Sequence, residues 1–209
     1  MIAAGTALVL LGVSILPFLT PAFVRFEQDR AGVAALTGFS GPQLDEVTGA
    51  LLRDLVVWRG DFDVAIDGAP VLGERERGHM RDVRGVFAGL FVLVLAGAAT
   101  LAVAFRRARD TAARAATWRA VSGGARGLAI GVAVAGAFVL LAFDAAFEVF
   151  HRLFFGAGSY TFDPRTDRLV QLFPERFWSE TANAVGVIML GAAILSAWQA
   201  GRRARVTGT

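Results

Sequence analysis

The sequence predicts a mainly α membrane protein, with four transmembrane helices and a small extracytoplasmic α+β cap. Three observations predict it. Hydrophobic residues make up 55% of the 209 positions, and they gather into four runs close to the roughly 20 residues that cross about 30 Å of hydrocarbon as a helix. Arginines crowd two of the connecting stretches, as expected of segments held on the cytoplasmic side. The other two stretches carry capping and turn signals, so they read as folded structure outside the hydrocarbon.

The first run spans residues 2–24. It lacks the basic leading region and small-residue cleavage site of a signal peptide, so it reads as a retained helix. Residues 25–85 form the larger part of the cap. Within it, Ser40 and Gln43 have capping-box spacing, Pro42 sits near a helix start, and Leu44, Val47, Leu51 and Leu55 share one helical face. That helix is expected to end near Trp58 and Gly60. The stretch "FDVAIDGAPVLG" then alternates apolar and polar residues around Asp67-Gly68, which favours a tight β-hairpin.

The second run, residues 86–105, leads into a loop at 106–126 containing Arg106, Arg107, Arg109, Arg114, Arg119 and Arg126, opposed only by Asp110. The third run covers 127–150, and Gly127, Gly131 and Ala135 place small residues at helical spacing for close packing. Residues 151–180 complete the cap, the fourth run covers 181–200, and Arg202, Arg203 and Arg205 follow in the tail at 201–209. Both termini are therefore expected inside, with the cap outside, in one membrane domain of 1–209. Topology accounts for the basic stretches, so no nucleic-acid partner is called for. The chain has no cysteine, which removes disulfides, thiol nucleophiles and thiolate metal sites.

Only two histidines occur. On this topology His79, just before the second run, and His151, just after the third, lie at one depth on the outer face. Imidazole suits proton transfer near neutral pH. Asp144, Glu148 and His151 share a face of one continuous helix, where acids within an apolar run are candidates for function. Glu148 has two options: it can fix the imidazole tautomer, or pair with Arg152 four residues on. Asp82, three residues after His79, offers the same choice, and Arg84 is a cation for an oxyanion or a headgroup. The outer segment is rich in aromatic side chains, with Phe154, Phe155, Tyr160, Phe162, Phe173 and Trp178 suited to walling acyl chains. There is no G-x-S-x-G or H-E-x-x-H motif, and Ser159 and Ser179 have no obvious local partner.

"HMRDVRGVF" at 79–87, followed across a helical hairpin by "FHRLFFGAGSYTFDPRTDRLVQLFPERFW" at 150–178, resembles the four-helix integral membrane family that includes the lipoprotein intramolecular transacylase. Tyr160 departs from the tryptophan expected before the x-Phe-Asp string, which keeps an aromatic ring while altering the pocket. The resemblance implies that His79 and His151 are catalytic and that the protein resides in a bacterial cell membrane among membrane lipids. It also implies a reaction: the sn-2 acyl chain of a diacylglyceryl lipoprotein moves to the α-amine of its N-terminal cysteine. That cysteine belongs to the substrate, and the ester supplies the acyl group, so no cofactor or metal is implied. On the residues alone, two other classes stay open: a non-enzymatic membrane protein whose cap binds lipid or a protein partner, and a haem or metal membrane protein.

Overall fold

The computed structural model describes residues 1–208. Its helices are α1 (Ile2–Ile15), α2 (Pro21–Arg30), α3 (Val33–Thr37), α4 (Gly41–Leu52), α5 (Glu74–Arg107), α6 (Thr111–Leu141), α7 (Phe143–Phe154), α8 (Arg168–Leu172) and α9 (Glu175–Val206), with strands β1 (Ala65–Ile66) and β2 (Ala69–Pro70) between α4 and α5. Four helical stretches, Ile2–Leu19, Glu74–Arg107, Thr111–Leu141 and Glu175–Val206, are long and apolar enough to cross a membrane. The protein is therefore a four-helix membrane fold with one small sheet. Where the sequence reads as one membrane domain, the chain folds into two compact units: residues 1–16, 89–140 and 184–209 in the first, and 17–88 and 141–183 in the second.

The first unit is held by backbone approach. A Cβ added at Gly5 would lie 3.0 Å from the Gly97 carbonyl oxygen, one at Gly97 would lie 2.9 Å from that of Gly5, and one at Gly124 would run into the Ala3 carbonyl. Small residues permit such contact between apolar helices, where hydrophobic exclusion supplies little driving force. Ala193, Ala197, Ala200 and Ala204 are buried along one face of α9, and the Ser122 hydroxyl donates to the Ala197 carbonyl oxygen at 2.9 Å. Gly127 and Gly131 do not take the packing role expected of them, since both have open space where a Cβ would stand. Large apolar side chains on the same helices stay exposed, among them Val92, Leu95, Ile130 and Val187, as lipid-facing residues do.

The second unit has a side-chain core. Leu44, Val47, Leu51 and Leu55 are all buried, in one cluster with Val33, Phe62, Ile66, Leu72, Met80 and Leu172, each such burial contributing about 1.5–3 kcal/mol. The expected capping box is present, with the Ser40 N–H donating to Gln43 Oε1 at 2.9 Å. A π-helical turn over Arg53–Val57 extends α4 to Trp58, which takes left-handed φ 58°. The hairpin is antiparallel with Ile66 opposite Ala69, and Asp67 and Gly68 both have positive φ, 52° and 79°, the geometry whose twist suits a two-residue hairpin. Gly60, at φ 117°, leaves no room for a Cβ beside the buried Asp54 carboxylate, which accepts the Phe62 N–H at 2.8 Å. Gln28, fully buried, accepts from the Thr48 hydroxyl at 2.9 Å and donates to the Leu172 carbonyl oxygen at 3.3 Å.

Three boundaries differ from the sequence reading. The run at 2–24 stops at Leu19, because Pro17 and Pro21 lack the N–H that would continue the helix and Thr20 caps α2 by accepting from the Phe23 N–H at 3.3 Å. The second helix begins at Glu74, so His79 stands in its second turn. The run at 127–150 is two helices, broken at Ala142 with φ −152° and ψ 61°. Asp144 thus sits in the first turn of α7, where a carboxylate complements the helix dipole.

Candidate active site

The two histidines meet within the second unit. Their ring centroids are 6.0 Å apart with planes inclined by 19°, and both are buried, His79 at 7% and His151 at 8% exposure. His151 Nδ1 lies 2.8 Å from the Phe147 carbonyl oxygen. A carbonyl only accepts, so Nδ1 carries the hydrogen in the neutral ring and Nε2 keeps the lone pair. Among the described residues His79 Nδ1 is buried with no hydrogen-bond partner, an unsatisfied state that proteins rarely leave without a reason.

Aromatic rings surround both imidazoles. Phe155 lies 4.7 Å from His79 and 5.4 Å from His151, centroid to centroid, and bridges the two. Phe162 approaches His79 at 5.6 Å and Tyr160 approaches His151 at 5.0 Å. Phe147 and Phe150, one helical turn and one residue before His151, add contacts at 4.0 and 5.4 Å. Sequence reasoning missed these two, although i−4 spacing to the histidine was a usable signal for Phe147.

The remaining expected site residues divide. Phe154 is exposed and packs against Phe150 with ring centroids 4.9 Å apart and planes inclined by 45°. Phe173 and Trp178 form a separate cluster with Phe177, at 5.2 Å in each case. Glu148 does not orient His151: its Oε1 accepts from Arg152 Nε at 2.7 Å and from the Tyr160 hydroxyl at 3.2 Å. The hydrogen bond from Arg152 is the main reason that its carboxyl is held below the ordinary range. Asp144 is exposed, two residues beyond the break, and within α7 it keeps the expected helical spacing to Glu148 and His151. Asp82 is also exposed and makes no hydrogen bond to His79. Arg84 is engaged by the loop before the hairpin, donating from Nη1 to the Gly60 carbonyl oxygen at 2.9 Å with its guanidinium 5.2 Å from the Phe62 ring.

Two residues not singled out by sequence tie the aromatic loop to α5. Buried Glu76 accepts the Gly73 and Leu169 N–H groups through its two oxygens, each at 2.6 Å. Arg75 pairs with Asp167 at 2.8 Å and lies 4.9 Å from the Phe162 ring. The other arginines flanking His79 are also occupied: Arg77 and Arg81 both bond Glu74. The serine hydroxyls bond local carbonyls, Ser159 to Gly156 and Ser179 to Arg176, and neither meets an imidazole. Among the described residues, no three histidine or carboxylate side chains converge on a point where a metal ion would sit.

No curated protein matches the chain. Three solved structures share its fold, each an in meso structure of the membrane integral lipoprotein intramolecular transacylase Lit from Bacillus cereus. One aligns at TM-score 0.77 and 17% identity over 99% of this chain and 94% of that one. A histidine-to-arginine variant aligns at 0.68 and 16% identity over 98% and 89%, and a histidine-to-alanine variant at 0.69 and 16% over 98% and 90%. The model of one family, described as lipoprotein intramolecular transacylase Lit, matches residues 1–178. With that match over most of its length, the chain belongs to the lipoprotein intramolecular transacylase family.

Proposed function

We propose that this chain moves the sn-2 acyl group of a diacylglyceryl lipoprotein onto the α-amine of the N-terminal cysteine, with His79 and His151 transferring the protons. The buried imidazole pair is the observation that carries this reading. A free α-amine is mostly protonated at neutral pH, with a pKa of about 7.7–8.0, so attack requires a base. His151 is suited to that role: its Nδ1–H faces a carbonyl that also stabilises the imidazolium, and its Nε2 lone pair is left for the substrate.

The amine nitrogen forms a bond to the ester carbonyl carbon and loses a proton to His151. The bond from that carbon to the glyceryl oxygen then breaks, and the proton held on His151 passes by way of His79 to that oxygen, so both imidazoles end neutral and the reaction consumes no proton overall. Closure forms a medium ring through N, Cα, Cβ, S, two glyceryl carbons, the ester oxygen and the carbonyl carbon. Orienting both ends beforehand removes most of that entropic barrier, an effect worth about 7–11 kcal/mol in favourable cases. The rings of Phe155, Tyr160 and Phe162 supply apolar walls for the chains beside the imidazoles. Arg84 and Glu148 act as positioning residues, Arg84 on the loop before the hairpin and Glu148 through Tyr160.

The arginine-rich stretches at 106–126 and 201–209, at the ends of α5, α6 and α9, support a cytoplasmic location for both termini. The histidines then work at the extracytoplasmic face of the bacterial membrane, where lipidated substrates and membrane lipids are present. His79→Ala and His151→Ala, each checked for folding, are expected to lower lyso-form lipoprotein production by about 10²–10⁴-fold, the usual scale of general acid–base catalysis. Full activity in either variant overturns the dyad.

A further inference from the structure

Far along the sequence from the histidines, the first unit holds a cavity of about 770 Å³ lined by Arg114, Trp118, Trp198, Arg202 and Arg203, with Phe105 at its side. It is built from the C-terminal ends of α5 and α9 and the N-terminal part of α6, so it lies at the membrane-surface end of three spanning helices. The Arg202 guanidinium carbon stands 4.9 Å from the centre of the Trp198 ring, and that of Arg203 stands 4.9 Å from Trp118. Phe105 packs on Trp118 with centroids 4.6 Å apart.

Each guanidinium is thus held over an indole ring, and a planar guanidinium presents N–H edges that can grip two oxygens of one phosphate. No carboxylate takes those edges. Among the described residues neither the Arg202 nor the Arg203 guanidinium has an ion pair or hydrogen bond, and that of Arg114 makes one, from Nε to the Ala108 carbonyl oxygen at 3.2 Å. Asp110, the one acid in the loop, accepts the Ala113 N–H at 2.7 Å. Retention of positive charge on one side of a membrane explains the presence of cations but not the placing of two of them over indole rings.

We propose that this cavity binds the phosphate headgroup of an anionic phospholipid, with Arg202 and Arg203 on the phosphate oxygens and Arg114 adding charge. A lipid fits better than free phosphate because Trp198 and Val206, on the cavity wall, are 54% and 77% exposed and offer apolar surface to the glyceryl and first acyl carbons. Basic pockets between membrane helices recognise anionic headgroups by this chemistry.

Titration of the purified full-length protein in detergent, read by native mass spectrometry, tests the site. Phosphatidylglycerol is expected to bind at least about tenfold more tightly than phosphatidylcholine and to resist displacement by millimolar inorganic phosphate. Arg202→Lys/Arg203→Lys keeps the charge but loses the planar fork, and is expected to weaken phosphatidylglycerol binding about tenfold while its activity in phosphatidylcholine micelles stays unchanged. Equal binding of the two lipids, displacement by inorganic phosphate, or undiminished binding by the lysine variant each overturns the proposal. The first two measurements use the unaltered protein, so they decide the matter even if the variant fails to fold.

Discussion

The two units of this protein are stabilised in opposite ways. In the first, contact is made where side chains are smallest: Gly5 against Gly97, Gly124 against Ala3, and an alanine face on α9. In the second, a continuous apolar core around Leu44, Val47 and Phe62 is joined by buried polar links through Gln28, Asp54 and Glu76. The difference follows from the solvent. Apolar helices in hydrocarbon gain little by hiding from it and associate through close van der Waals fit, whereas exclusion from water drives leucine and phenylalanine together. The histidines belong to the second kind of structure, where a backbone carbonyl fixes the orientation of the His151 ring.

Four experiments break or sharpen that contrast. The largest effect is expected from His79→Ala or His151→Ala: about 10²–10⁴-fold in product formation, with no loss of helical circular dichroism and a thermal midpoint near that of the parent. Next, Leu44→Ala should destabilise the second unit by about 2–5 kcal/mol, while Gly124→Leu should destabilise the first by about 1–3 kcal/mol through overpacking. Site-resolved hydrogen exchange tells the two apart, and protection lost in the same residues for both variants would contradict separate modes of packing.

Glu76→Gln comes third. An amide has one acceptor oxygen where the carboxylate uses two, so one of the Gly73 and Leu169 N–H groups is left unpaired, at about 1–3 kcal/mol. The aromatic loop should loosen, seen as faster proteolysis within residues 156–167, and kcat should fall more than KM rises. The smallest effect is expected from the Glu148–Arg152 pair. The Arg152 hydrogen bond holds the Glu148 carboxyl below its ordinary value, so its stabilising contribution is complete above the usual glutamate pKa of about 4.3 and is lost as pH falls through the lower folded value. Both side chains are exposed, and Glu148→Gln should flatten this acid-side dependence while barely moving the thermal midpoint at pH 7.

Much of the architecture was legible. The four spans, the capping box at Ser40 and the Asp67-Gly68 hairpin all rest on local chemistry, namely runs of apolar residues, a side-chain cap and a turn that needs positive φ. Helices α2, α3 and α8 were not read, because α3 and α8 have five residues each and such short helices depend on burial of Val33, Leu169 and Leu172 in a core assembled from distant parts of the chain. The break at Ala142 has neither proline nor glycine beside it to mark it. Gly127 and Gly131 show the same limit from the other direction, since spacing says which small residues share a face and not which face meets another helix.

By itself the sequence determined that apolar segments cross a membrane, that arginines gather beside them, and that two lone histidines flank a helical hairpin. These are properties of composition and order, readable because hydrocarbon thickness and charge placement act on each segment separately. Tertiary structure alone decided that the imidazoles stack at 6.0 Å, that a backbone carbonyl rather than Glu148 orients His151, and that Glu148 turns to Arg152 and Tyr160. Helical spacing allowed Glu148 either partner. Selecting one required the loop carrying Tyr160 to fold against α7, a long-range event that no local pattern encodes.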